Sequence, residues 1–292
     1  MTNIAPMPQV NVKTLADKAM LARLARRRMN TSVRDKALEA HVRHETQDDS
    51  VIVTKHLFRV KSCYVRKLIS KYDEVYRLHM DSTMPWIDRG PRLLPSKLYF
   101  NYMERMRQAI EEVDQLVPFL FRNWGSLVDQ DVISRGGTAS GHDYPSAATV
   151  ANAFSIDLQI LPLPDTSDFR VDVDDATRDA LQGALQEAEQ AARADIIRRM
   201  LEPVERAVEK LQVPIGEQGS VFRDSLVSNL LGGIHQAKLL NISDDADLSH
   251  AIEEIEARVT AVAKPEALRN SVDHRTKAAK ELADIMGKLG TL

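Results

Sequence analysis

Residues Val51–Trp86 read VIVTKHLFRVKSCYVRKLISKYDEVYRLHMDSTMPW, and Ile87–Trp124 continue as IDRGPRLLPSKLYFNYMERMRQAIEEVDQLVPFLFRNW. This stretch holds both tryptophans and no enzyme motif. In its first arm Leu57, Val60, Tyr64, Val65, Leu68, Ile69, Tyr72, Val75 and Tyr76 recur at three- and four-residue steps. That spacing predicts one apolar face of a helix over Val51 to Met80. Three prolines and a glycine between Met84 and Pro95 predict a rigid turn. A second helix is expected from Lys97 to about Phe121, with Leu98, Tyr102, Met106, Ile110, Val113 and Val117 inward.

Basic residues interleave with these aromatics. Lys55, Arg59, Lys61, Arg66, Lys67 and Lys71 lie among Tyr64 and Tyr72, and Trp86 is followed by Arg89 and Arg92. Such a pattern suits single-stranded nucleic acid, where aromatic rings stack bases and cations hold phosphates. The plain alternative makes Trp86 a plug at the end of a helical pair.

Working outward, residues 1–11 read as a flexible arm, and a helix is expected from Val12. It carries Arg23, Arg26, Arg27 and Arg28. Four arginines in six positions suit phosphate contact or a solvated helix end. A further helix is expected over Val33 to Glu45. His41 and His44, three apart with Glu45 beside them, could begin a metal site, but no third ligand has the spacing for one. Ser134 to Pro145 carries three glycines without a phosphate-loop lysine, so it reads as a mobile surface loop. Phe154, Ile156, Leu158 and Ile160 alternate with polar residues, as do Phe169, Val171 and Val173 across a proline turn. This predicts an antiparallel hairpin over 154–173.

Beyond it, Leu181, Leu185, Ala188, Ala192, Ile196, Met200, Val204, Val208 and Leu211 trace a stripe at steps of about four. Small alanines in such a stripe allow close helix contact, as in a coiled coil. Helices are expected over Phe222–Leu240, with a bend at Gly232-Gly233, over Asp247–Val262, and over Pro265 to Lys288. The predicted class is mostly α, an elongated helical bundle or coiled coil with one small hairpin. The expected domains are a basic one over 12–175 and an acidic one over 176–292.

The chain has 292 residues and a net charge of −3. That charge is uneven: residues 1–110 carry +10 and residues 111–292 carry −13. A chain so divided is expected to offer different partners different faces. No apolar run is long enough to span a bilayer, so no membrane partner is expected. The single cysteine, Cys63, excludes an internal disulfide and suits a reducing compartment. Nucleotide-loop, zinc-protease, paired-cysteine and nucleophile-elbow motifs are missing. The expectation is a protein without catalysis, cofactor or metal.

Three blocks carry a resemblance: Met84-Pro85-Trp86-Ile87-Asp88-Arg89-Gly90-Pro91-Arg92-Leu93-Leu94-Pro95, then Asp143-Tyr144-Pro145-Ser146, then Pro162-Leu163-Pro164-Asp165 to Asp168-Phe169-Arg170-Val171. In this order they resemble a family of phage and prophage proteins of unknown function, over about residues 50–175. By size, helicity and charge division the chain is also similar to the single-stranded-DNA-binding RNA polymerase cofactors of podophages that carry a giant virion RNA polymerase. That resemblance implies an elongated helical protein in the cytoplasm of an infected host, coating single-stranded DNA and recruiting RNA polymerase. Self-association along the strand is expected of the acidic coiled-coil half. The competing expectation is an adaptor, or a regulator of an ATPase machine, without nucleic-acid affinity. A metal-dependent nuclease built on His41 and His44 is the third.

Overall fold

The computed structural model describes residues 17–59, 63–86, 90–136, 138–163, 175–215, 217, 224–242 and 245–291. They fall into two compact units. One, here the mixed unit, comprises Leu24–His79 and Asn101–Gln159. The other, the bundle unit, takes the described residues of Met1–Arg23, Met80–Phe100 and Ile160–Leu292. The division therefore does not fall at residue 175. The segment from Met80 to Phe100 joins the C-terminal helices.

The mostly α class is found, with ten helices among the described residues. In the mixed unit a three-residue strand β2 (Ser32–Arg34) pairs antiparallel with β3 (Thr54–His56), Val33 opposite Lys55. Between them runs α1 (Lys36–Thr46). Asp35 caps it by accepting the Leu38 N–H at 3.1 Å, and Gln47, left-handed at φ 54°, ends it.

Two longer helices, α2 (Tyr64–Ser82) and α3 (Tyr99–Arg122), run antiparallel where they share the mixed unit. Tyr64 donates to the Leu116 carbonyl at 2.7 Å, Lys71 meets Glu112 at 2.6 Å, and His79 lies 2.7 Å from the Tyr102 hydroxyl. Val65, Leu68, Ile69, Tyr72 and Val75 are buried on α2, and Tyr102, Met106, Val113 and Leu120 on α3. The expected helical pair thus exists, but its first arm begins at Tyr64 rather than Val51. Phe58 has φ 54°, a left-handed backbone that no helix accommodates, and its N–H is taken by Asp131 at 2.8 Å. Next come α4 (Trp124–Ser134) and the single-turn α5 (Ala147–Ala151), capped by Ser146.

The stretch expected to be an arginine-bearing helix is a strand, β1 (Ala19–Arg27). Leu24 and Arg26 are half-buried, whereas Arg23, Ala25 and Arg27 are exposed, which is a period of two. In the bundle unit β1 pairs antiparallel with β4 (Arg92–Pro95), Ala19 opposite Pro95 and Ala22 opposite Arg92. Strand β5 (Ser155–Leu161) completes a sheet of order β4-β1-β5, leaving β4, with its proline, at an edge. The alternation expected of β5 is present, but it joins this sheet. The second arm of the expected hairpin lies outside the described residues, apart from the turn residues up to Leu163.

Helices α6 (Asp175–Gln212), α7 (Asp224–Leu240), α8 (Ala246–Val262) and α10 (Val272–Leu289) form a four-helix bundle. In it α6 packs on α7 and α10, and α8 packs on the same two. The α6 stripe from Leu185 to Leu211 is buried, within a bundle rather than a two-stranded coiled coil. Trp86, Met84 and Leu93 belong to this core. Met84 and Leu93 exchange backbone hydrogen bonds at 2.8 and 2.9 Å, which closes the proline-rich turn.

Gly233 does not bend α7, which is continuous. A Cβ there would stand 2.8 Å from the Arg199 carbonyl oxygen, so glycine lets α7 approach the α6 backbone. The last expected helix is two, α9 (Pro265–Asn270) and α10. Ser271 breaks the run and accepts from the His274 N–H at 3.2 Å. Two arginines satisfy helix ends. Arg199 donates to the carbonyls of Met80, Asp81 and Thr83 at 2.7–3.0 Å, and buried Arg275 to those of Lys210 and Val213 at 2.7 and 2.9 Å. Among the described residues no helix is long and apolar enough to cross a membrane.

Candidate nucleic-acid interface

The mixed unit is stitched by buried carboxylates. Glu39, on α1, accepts from Arg34 Nε and Nη2 at 2.6 and 2.5 Å and pairs with Arg43 at 3.0 Å. The Arg34 guanidinium holds the Glu39 carboxyl far below its usual range, at about 2. Asp131, on α4, accepts from Phe58 N–H at 2.8 Å, from the Tyr144 hydroxyl at 2.6 Å and from Arg135 Nε at 3.1 Å. Burial opposes its ionisation, but these three donors prevail and its pKa is lowered. Burial and the Asp131 charge together push Tyr144 up.

These bonds anchor the end of the glycine-bearing loop, residues 143–145. Tyr144 is held by Asp131, and the Pro145 carbonyl accepts from Trp124 Nε1 at 3.0 Å. Lys55 bridges Asp35 at 2.9 Å and Asp143 at 3.5 Å. Phe58 packs between Trp124 and Tyr144, with ring centres 5.5 and 5.3 Å away.

The expected site residues separate into distinct environments. Lys61 and Arg89 lie outside the described residues. Tyr72 is fully buried: its hydroxyl accepts from Ser155 N–H at 3.1 Å and lies 2.5 Å from the Arg27 carbonyl, so its ring offers no face to a base. Trp86 is 7% exposed within the bundle core and likewise offers none. Arg92 donates to Thr83 Oγ1 and to its carbonyl at 2.7 and 3.0 Å, anchoring the turn. Lys55 and Lys71 are engaged in ion pairs. Tyr64 is half-buried and packs at a tilt against Phe119, ring centres 4.4 Å apart. Cys63 is half-buried, and burial pushes its thiol up, away from a reactive thiolate. His41 pairs with Glu45 at 3.4 Å, and among the described residues no three ligating side chains could hold a metal.

What remains is a basic face at the end of β1 and along α2. Arg26 lies 4.1 Å over the ring of Tyr76, which is 40% exposed, and bonds Asp73 at 3.0 Å. Exposed Arg28 approaches Asp73 at 3.9 Å. Arg66, Ser70, Asp73 and Arg77 follow at helical steps of three and four, which makes them one stripe about 16 Å long. Arg66, Lys67 and Arg77 are exposed and make no ion pair among the described residues. Tyr76 is the aromatic that sequence reading placed with the core. Its signal was weak, because the apolar stripe of α2 is satisfied by Leu68, Tyr72 and Val75 without it.

Beside this face lies a groove of about 720 Å³. Its floor is Met29, Leu57, Tyr144 and Val150, and Arg27, Arg28, Asn30, Ser32, Thr149 and Asn152 stand around it. Arg27 donates to the Asn152 carbonyl at 2.5 Å.

The charge division of the two sequence halves does not carry over to the units. The mixed unit has 17 Lys+Arg against 15 Asp+Glu, a net of +2, and the bundle unit has 22 against 27, a net of −5. Basic character is a local property of the Arg26–Arg28 and Arg66–Arg77 face. No family model, no curated protein and no solved structure matches this chain.

Proposed function

We propose that the protein binds single-stranded DNA on the β1–α2 face of the mixed unit and performs no chemistry on it. The observation that supports this reading is the meeting of Arg26, Arg28 and Tyr76 at Asp73, in line with Arg66 and Arg77. Guanidiniums at this spacing suit a phosphate chain, and a half-exposed tyrosine ring suits a base. Asp73 is the carboxylate of the stripe that Arg26 and Arg28 reach. It pre-orients Arg26 and Arg28, whose side chains then lose less freedom on binding. Recruitment of an RNA polymerase rests on the podophage resemblance, the phage origin on both resemblances to phage proteins, and self-association on the acidic helical half, which is also the surface left for a protein partner.

The test is fluorescence anisotropy of a labelled single strand, with a duplex control, across a salt series. Wild type is expected to prefer the single strand and to weaken with salt. Arg28→Glu with Arg77→Glu is expected to weaken it at least tenfold. The same pair should flatten the salt slope by about 0.7 for each phosphate no longer neutralised. No binding at low salt would exclude nucleic acid as the ligand. The same face would then dock an acidic protein surface, the adaptor reading.

A further inference from the structure

We infer that the groove beside Arg28 seats one unstacked base of the bound strand, with the neighbouring phosphate on the Arg27–Arg28 rim. This rests on the single-stranded-DNA reading and extends it to a specific subsite.

Three observations support the inference. The first is size: about 720 Å³ falls within the roughly 300–1,000 Å³ of sites that enclose small organic groups. The second is lining. The floor is apolar, with Met29, Leu57 and Val150 all buried, and Pro145 forms a wall. An apolar slot flanked by amide and hydroxyl groups suits a flat heterocycle, whose faces are apolar and whose edge carries donors and acceptors. Asn30 Oδ1 already accepts the Ser32 N–H at 2.9 Å, so its amide nitrogen is the group left to donate to a base edge. The third is continuity. Arg28 both lines the groove and reaches Asp73 on the basic stripe, so a strand lying on the stripe passes the mouth of the groove.

The groove is also built before any ligand arrives. Its Asp143–Pro145 wall is fixed by Lys55 and by the Trp124 indole, and Tyr144 in its floor is fixed by Asp131. Seating a base therefore requires no ordering of this loop, and only the strand loses freedom.

The experiment compares a short thymidine oligonucleotide with an abasic phosphodeoxyribose strand of equal length, using wild type, Ala153→Leu and Thr149→Leu. Ala153→Leu fills the groove from its side, and Thr149→Leu does so from the exposed rim, where folding is least affected. A seated base is expected to favour the base-bearing strand about tenfold or more, since stacking on one base commonly contributes about 1–3 kcal/mol. Both variants are expected to bring that ratio down toward one. Equal binding of the two strands by wild type overturns the base seat and leaves the strand reading standing. A ratio preserved in both variants places the base elsewhere, at Tyr76, and overturns the groove. Binding of neither strand by wild type takes down the strand reading as well.

Discussion

In the bundle unit the buried positions of α6 run at helical steps from Leu185 through Ala188, Ala192, Ile196, Met200 and Val204 to Leu211; of the polar groups buried nearby, Arg275 serves a helix end and Asp195 holds Arg199, which serves another. In the mixed unit the buried set includes Glu39 and Asp131, each holding segments that are neither helix nor strand. One unit is shaped by aliphatic periodicity and the other by carboxylates that gather donors from distant loops. The two respond differently to loss. An aliphatic core yields a graded cost with each methylene removed, whereas a buried carboxylate takes several partners with it. The tryptophans report the two units separately, Trp124 in the mixed unit and Trp86 in the bundle unit.

The sharpest way to break this contrast is Asp131→Ala. It leaves the Phe58 N–H, the Tyr144 hydroxyl and the Arg135 Nε–H without their acceptor, and is expected to cost about 4 kcal/mol. Urea unfolding followed at Trp124 in a Trp86→Phe background measures it. A loss below about 1 kcal/mol would show that the loop is held by its apolar packing instead. A smaller effect belongs to the bundle. Gly233→Ala is expected to cost about 2 kcal/mol, through the forced separation of α7 from the Arg199 carbonyl. Gly232→Ala meets nothing within 4 Å and is expected to stabilise by up to about 1 kcal/mol. Paired unfolding curves followed at Trp86 check both, and a common sign would refute the close approach.

The mildest effect is in pH. The Glu39 carboxyl is lowered from 4.5 to about 2. A carboxyl lowered on folding contributes stability that is fully present above its unfolded pKa and lost as pH falls through the folded one. That contribution should disappear between about pH 4.5 and 2. Glu39→Gln is expected to flatten this acid limb of the thermal midpoint, and an unchanged limb would assign it to other carboxylates, Asp131 first.

The bundle was legible because its signal is local. A stripe repeating every three or four residues predicts α6, α7 and α8 without knowledge of their neighbours. Two failures show the limit. The Ala19–Arg27 stretch fits either period, since Leu21 and Leu24 suit a helix while Leu24 and Arg26 against Ala25 and Arg27 suit a strand; pairing with Arg92–Pro95 decided it. Residues 51–63 carry apolar residues at helical spacing, but the Asp131 carboxylate, 73 residues away, holds Phe58 in a left-handed turn. The candidate site suffered most. Which basic side chains remain available depends on pairs such as Lys55 with Asp143 and Arg26 with Asp73, which span 88 and 47 residues. Charge counts along the chain cannot anticipate such pairings.

The interleaving of the two units along the chain has a consequence for synthesis. The ribosome releases the mixed unit in two instalments, and its last residue, Gln159, emerges while most of the bundle is still untranslated. Trp86 and Leu93 are made early, but the core they belong to also takes in Leu282 and Ile285 of α10, which come at the very end. For most of translation the core that takes in Met84, Trp86 and Leu93 is therefore incomplete. A chain terminated before Val272 would lack α10 and leave this core without Ala278, Leu282, Ile285 and Leu289.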